Sequence, residues 1–277
     1  MKKWIIMGMF VSIGFSASFA EPITQSLIFK TIGEAELEMK LYYPPDWKAA
    51  EEKLPALVLF FGGGWHGGDI NHFHDMPNDL ARRGMIVVTP EYRTGGKYGA
   101  TPDQCLEDAK SAMRYVYANA DALGVDVDKV AAGGRSAGGQ LAASTAFSKG
   151  FNAEGDDESV RCVPDALVLF NPVIDNGPGG FGHGAVQKYW KNFSPMHNIS
   201  TNPPPTIFLT GDKDQYTPIE TAHKYKVEME KHAGRCDLII YEGGTHGSPF
   251  YGFYQETLQN VAGFLVSLEY LKPGGIR

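Results

Sequence analysis

A serine set within Gly134-Arg135-Ser136-Ala137-Gly138 has the residue types and spacing of an acyl-transfer nucleophile. Glycine is needed at 134 and 138 because side chains there would collide with neighbouring backbone, and the sharp turn leaves the Ser136 hydroxyl exposed above the strand ends. A serine hydroxyl is a weak nucleophile at neutral pH, so it requires a general base and a group that orients that base. His246, in Tyr241-Glu242-Gly243-Gly244-Thr245-His246-Gly247, follows the last expected strand on a glycine-flanked loop able to fold the imidazole back over Ser136. The other seven histidines lack that setting. Asp214 and Asp212 compete as the orienting carboxylate. Asp214 is favoured because it lies further from the strand end and has the reach, whereas Asp212 suits a turn or cap.

A second glycine cluster, Phe60-Phe61-Gly62-Gly63-Gly64-Trp65, follows a strand-like run. Consecutive glycines let backbone amides approach a ligand that side chains would exclude, so Gly63 and Gly64, together with Ala137, are the expected oxyanion-hole donors. Trp65 is the expected substrate-binding aromatic, with Tyr189, Trp190, Phe250 and Tyr251 as further rings able to stack on a sugar. This chemistry requires no cofactor. His66, Asp69, His72, His74 and Asp75 fit no metal-ligand spacing, and no metal is assigned to them.

Such residues need a scaffold that brings them to one edge. Near-continuous apolar runs at 54–61, 85–89, 129–132, 165–170, 206–210 and 237–241 predict parallel strands covered on both faces. Leu106, Ala109, Met113 and Val116 recur at helical spacing, as do Leu258, Val261, Leu265 and Leu268. Two alternating segments, 26–32 and 35–41, separated by Gly33-Glu34, predict an antiparallel hairpin at the sheet edge. The expected fold is a three-layer α/β architecture: a mostly parallel sheet with an antiparallel N-terminal edge hairpin. Residues 173–205, closed by Pro203-Pro204-Pro205, are too few for a domain and long for a plain loop, and are read as a small cap segment over the site.

The 277 residues suit one domain, with 21–277 as the catalytic unit. Residues 1–20 carry Lys2 and Lys3, an apolar run and Ser18 and Ala20 before Glu21, the pattern of a signal peptide for a secreted or periplasmic protein. Cleavage there would leave 23 basic residues against 32 acidic ones, a formal charge of −9. No basic footprint for nucleic acid or anionic lipid exists. Export permits a disulfide between two of Cys105, Cys162 and Cys236, and spacing does not choose the pair.

The serine, acid, base order and the glycine cluster resemble those of the hormone-sensitive-lipase-like, HGGG-type esterases of the α/β-hydrolase superfamily. Pro90-Glu91-Tyr92-Arg93, Asp108-Ala109-Lys110-Ser111-Ala112 and Phe170-Asn171-Pro172 are similar to further segments of that family. Phe61 departs from it, standing where the family has a histidine that supports the loop, and the family's long N-terminal cap segment is missing. The resemblance implies a serine ester hydrolase with an open site, on short-chain or carbohydrate-linked esters such as acetyl or feruloyl groups on xylan. Amide hydrolysis, of a formamide or a peptide, and a catalytically inactive binding protein on the same fold are the rivals.

Overall fold

The computed structural model describes residues 20–274 apart from 46 and 49–51. The expected signal peptide therefore lies outside the described residues, except for Ala20. Eight strands form one sheet: β1 (Ile23–Ile32), β2 (Ala35–Tyr43), β3 (Leu54–Phe60), β4 (Ile86–Pro90), β5 (Val125–Arg135), β6 (Ala166–Phe170), β7 (Thr206–Gly211) and β8 (Cys236–Tyr241). Their order is β1-β2-β4-β3-β5-β6-β7-β8. The hairpin β1/β2 and the β2/β4 pair are antiparallel, and every later pairing is parallel. Central strands are buried on both faces: Leu57, Val58 and Leu59, Ala131 and Ala132, and Leu167, Val168 and Leu169 are all inaccessible. That is why their sequences run apolar without alternation.

The longer helices are α1 (Met76–Arg82), α2 (Pro102–Ala118), α3 (Ala137–Phe147), α4 (Ile219–Lys231) and α5 (Tyr254–Ser267). Helix α2 starts with Pro102 in its first turn, where a missing N–H costs nothing, and the Gln104 side chain accepts the Thr101 amide at 3.0 Å. It buries the predicted stripe of Leu106, Ala109, Met113 and Val116. Helix α3 is lined by Ala, Gly and Ser and lies against β3, β5 and β6; small residues let it approach the sheet closely. Helix α5 buries Leu258, Val261 and Leu265, with Leu268 half-covered just past its end.

The cysteines correct one expectation. All three are free and buried: Cys105 inside α2, Cys162 in the loop before β6 and Cys236 at the start of β8. Cys105 donates its thiol to the Arg93 carbonyl at 3.0 Å. These side chains fill core positions, the usual place of a cysteine that packs as a small hydrophobe.

Candidate active site

Strand β5 stops at Arg135 and α3 starts at Ala137, so Ser136 alone makes the turn between them. Its φ of 54° and ψ of −120° lie outside the regions an L-residue favours. The strain is held by three backbone hydrogen bonds: Ser136 N donates to Phe170 O at 3.0 Å, and Ser136 O accepts from Gln140 N at 3.1 Å and Val173 N at 3.2 Å. A Cβ on Gly138 would lie 2.0 Å from the Phe60 carbonyl oxygen, so glycine there is what lets the helix sit against β3.

Asp214 and His246 ride on the loops after β7 and β8. These loops lie so close that a Cβ on Gly211 would be 2.1 Å from the Gly244 carbonyl oxygen. Lys213 N donates to Gly244 O at 2.8 Å and Asp212 N to Tyr241 O at 3.2 Å, tying the two loops together. His246 Nδ1 faces Asp214 Oδ2 at 2.8 Å, and its Nε2 lies 2.9 Å from Ser136 Oγ. An ionised carboxylate only accepts, so Nδ1 carries the proton and Nε2 is free to accept from the serine hydroxyl. The Asp214 carboxyl is inaccessible. Burial pushes its pKa up; hydrogen bonds from His246, the Thr217 amide and Asn171 more than offset this and hold it below the ordinary carboxylate value. Asn171 Nδ2 lies 2.7 Å from Asp214 Oδ2, and the amides of Tyr216 and Thr217 donate to Oδ1 at 2.8 and 3.0 Å. The carboxylate that His246 pairs with is that of Asp214, and no hydrogen bond or ion pair joins His246 to Asp212, the competitor.

Gly62, Gly63 and Gly64 pass directly beside Ser136. A Cβ on Gly62 would be 3.2 Å from the Ser136 Cβ, and Gly63 has a φ of 136° with Gly67 O only 2.2 Å from where a Cβ would be. The turn is closed by His66 N and Gly67 N, both donating to Gly63 O at 3.0 Å. Phe61, in place of a histidine, braces this loop by packing: its ring stacks on Tyr92 at 4.1 Å, and the Tyr92 hydroxyl donates to Phe61 O at 2.8 Å. Gly95 N and Gly96 N, in the short helical turn after β4, donate to Trp65 O and His66 O. Among the described residues, no protein acceptor takes the Gly63 or Gly64 amide. The Ala137 amide, in the first turn of α3, has no intrahelical partner either.

A cavity of about 320 Å³ opens over these groups, lined by Gly62, Gly63, Gly64, His72, Arg135, Ser136, Phe181, Tyr216 and His246. Trp65 is not among them, which corrects its expected role. It is 4% exposed, donates Nε1 to Gln140 Oε1 at 3.1 Å and packs against Phe181 and Phe193. The ring points inward because the 173–205 segment closes over it. That segment contains short helical turns at His183–Val186, Trp190–Phe193 and Pro195–His197, and is fastened to α3 through the Phe193 carbonyl, which accepts from Gln140, Ser144 and Ser148. Phe181 is its contribution to the cavity wall.

Of the other rings, Phe250 is buried, Tyr189 donates to Asp103, and Trp190 packs on His183 and His197. Tyr251 alone of these stays open, at 69% exposure. Sequence reasoning missed Asn171, His72, Phe181 and Tyr216 as site residues. Only Asn171 left a signal, an amide at the end of an apolar strand. Tyr216 packs edge-on to both His246 and Phe181.

A mostly parallel sheet whose central strand breaks into a helix at a strained serine, with a carboxylate and an imidazole delivered after its last two strands, defines the α/β-hydrolase class. The sequence profile of the BD-FAE family matches residues 39–176, and that of the prolyl oligopeptidase family residues 167–270. Esterase 2 of Thermogutta terrifontis superposes with a TM-score of 0.86 at 35% identity, covering 90% of this chain and 96% of that one. It has been solved with propionate and with butyrate bound, and after phosphorylation by paraoxon. Esterase LipC of Mycobacterium tuberculosis is 29% identical over 226 residues, 70% of this chain and 53% of that protein. An AB hydrolase superfamily protein of Schizosaccharomyces pombe is 35% identical over 152 residues, 54% of this chain and 41% of that protein. The chain spans about half the length of the curated relatives it matches. It belongs to the α/β-hydrolase esterases of the hormone-sensitive-lipase-like type.

Proposed function

We propose that this chain is a serine carboxylic ester hydrolase working through an acyl-enzyme, with Ser136 as nucleophile, His246 as general base and Asp214 as its orienting carboxylate. The observation that carries the reading is the continuous hydrogen-bonded path from Ser136 Oγ through His246 to the buried Asp214 carboxylate. As Oγ attacks the ester carbonyl, His246 Nε2 takes its proton, and Asp214 stabilises the imidazolium that forms. The carbonyl oxygen, now negative, lies against the amides of Gly63, Gly64 and Ala137. The C–O bond to the alcohol then breaks, and the alcohol leaves with the proton from His246. Water, activated by the same imidazole, attacks the acyl-enzyme and releases the acid and free Ser136.

Short acyl groups are the preferred substrates in this reading. A cavity of about 320 Å³ is at the small end of ligand sites, and Phe181 and Tyr216 restrict it. The propionate and butyrate held by the Thermogutta esterase support the same size class. Acetyl groups carried on a carbohydrate are the finer proposal, supported by the exposed rings of Tyr216 and Tyr251 beside an open site. Export by way of residues 1–20 is part of the proposal, and none of the described helices is long and apolar enough to cross a membrane.

A p-nitrophenyl ester series from acetate to decanoate, run beside acetylated xylan and a p-nitroanilide, tests the reading. It expects kcat/KM to peak at two to four carbons, with acetate released from the polymer. A faster anilide would favour amide hydrolysis, the alternative consistent with the prolyl oligopeptidase match over 167–270. No turnover of any ester would overturn the proposal.

A further inference from the structure

The residue between Gly134 and Ser136 is a charged one, Arg135, and it forms part of the cavity wall. Arg135 Nη1 donates to His72 Nε2 at 2.8 Å, and its guanidinium carbon lies 5.7 Å from the Phe250 ring and 5.4 Å from the Tyr251 ring. Its Nε is buried without a hydrogen-bond partner. Among the described residues no carboxylate comes within ion-pair distance of it, whereas Arg93, Arg114, Arg161 and Arg235 each hold an aspartate. His72 supplies no counter-charge. Burial and the adjacent Arg135 push its pKa down to about 4, against an opposing pull from Asp69, so at neutral pH it is an uncharged acceptor. Two aromatic faces and a neutral imidazole thus hold a cation beside the nucleophile without neutralising it.

An arginine has five N–H donors, and one hydrogen bond to His72 leaves most of them free. Its planar fork matches a carboxylate in a two-bond geometry that neither lysine nor a neutral donor reproduces. Resting on the esterase reading above, we propose that Arg135 is a specificity-determining residue that binds a carboxylate carried by the substrate, so that an ester bearing a carboxylate, on its acyl or its alcohol side, is preferred to its uncharged counterpart. His72 fixes the guanidinium by accepting one N–H, and the Phe250 and Tyr251 faces hold it by cation–π contact. Because Arg135 and Ser136 line the same cavity, a carboxylate bound by Arg135 shares it with the scissile bond.

Two matched pairs test this and locate the carboxylate: phenyl hydrogen succinate against phenyl pentanoate on the acyl side, and 4-acetoxybenzoate against 4-acetoxybenzamide on the alcohol side. In at least one pair kcat/KM favours the anion by about tenfold or more, mainly through a lower KM, as a charge-assisted hydrogen bond implies. Arg135→Gln brings that ratio close to one, and Arg135→Lys restores part of it. In the unaltered enzyme the ratio shrinks as salt is raised toward 1 M, where charges are screened within about 3 Å, which gives a readout that needs no variant. Ratios near one in both pairs, with the neutral esters turned over, overturn the inference alone. So does a preference that neither Arg135→Gln nor salt reduces. Turnover of none of the four esters overturns the esterase reading, and this inference with it.

Discussion

Asp214 receives more hydrogen bonds than a carboxylate needs merely to be soluble in the fold. Those from Asn171 and from the Tyr216 and Thr217 amides aim its oxygens at His246 Nδ1 before any substrate arrives. Asp214→Asn would keep the shape while placing an N–H donor among donors, which favours the wrong imidazole tautomer. On the proposed mechanism kcat should fall by about 10⁴-fold, with KM changed far less. A loss under tenfold would mean that His246 does not depend on this carboxylate. Trp65 supplies the opposite kind of test. Its buried indole holds Gln140, so Trp65→Phe leaves the Gln140 oxygen unpaired and should cost about 1–3 kcal/mol in urea unfolding. KM for p-nitrophenyl acetate should stay within about twofold, because the ring does not line the cavity.

At the scale of elements, the site depends on how closely β3, β5 and α3 approach. Gly138→Ala would put a methyl group 2.0 Å from the Phe60 carbonyl oxygen and 2.2 Å from that of Phe61. Backbone on both sides cannot yield cheaply, so a cost of about 3 kcal/mol is expected. For a domain of this size that lowers Tm by about 6–12 °C, measurable by calorimetry. The His72 loop carries an acid-sensitive contribution. Its folded pKa, about 4, is below the ordinary histidine value of 6.5, so the unfolded chain binds the proton more readily. That contribution is complete above pH 6.5 and lost as pH falls from 6.5 to about 4. His72→Gln should therefore lose less stability than the parent across that window when urea midpoints are compared. Parallel slopes would show that burial of His72 has no such effect.

Whole elements were readable because each motif is a local statement about a strand end. The six apolar runs and the hairpin recur within a few residues as β1 to β8: central strands covered on both faces run apolar, while the edge hairpin alternates. Ser136, His246 and Asp214 were readable because each follows a strand, and a parallel sheet brings its strand ends to one edge. Trp65 was misread because an aromatic after a glycine turn can face either way. Which way is decided by Phe181 and Phe193, more than a hundred residues later. The pairing of Arg135 with His72 likewise joins positions 63 apart and has no periodic signature.

For the molecule as a whole, sheet, 173–205 segment and cavity make one claim: a single activated serine does the chemistry. Paraoxon phosphorylates the Thermogutta esterase, which covers 90% of this chain, and offers a direct probe. The protein, treated with paraoxon and analysed by intact mass and peptide mapping while p-nitrophenyl acetate hydrolysis is followed, should gain one diethylphosphoryl group per chain. The label should lie on Ser136, activity should fall in proportion to labelling, and Ser136→Ala should neither label nor hydrolyse the ester. Full hydrolysis by a chain labelled at Ser136, or by Ser136→Ala, would contradict the account.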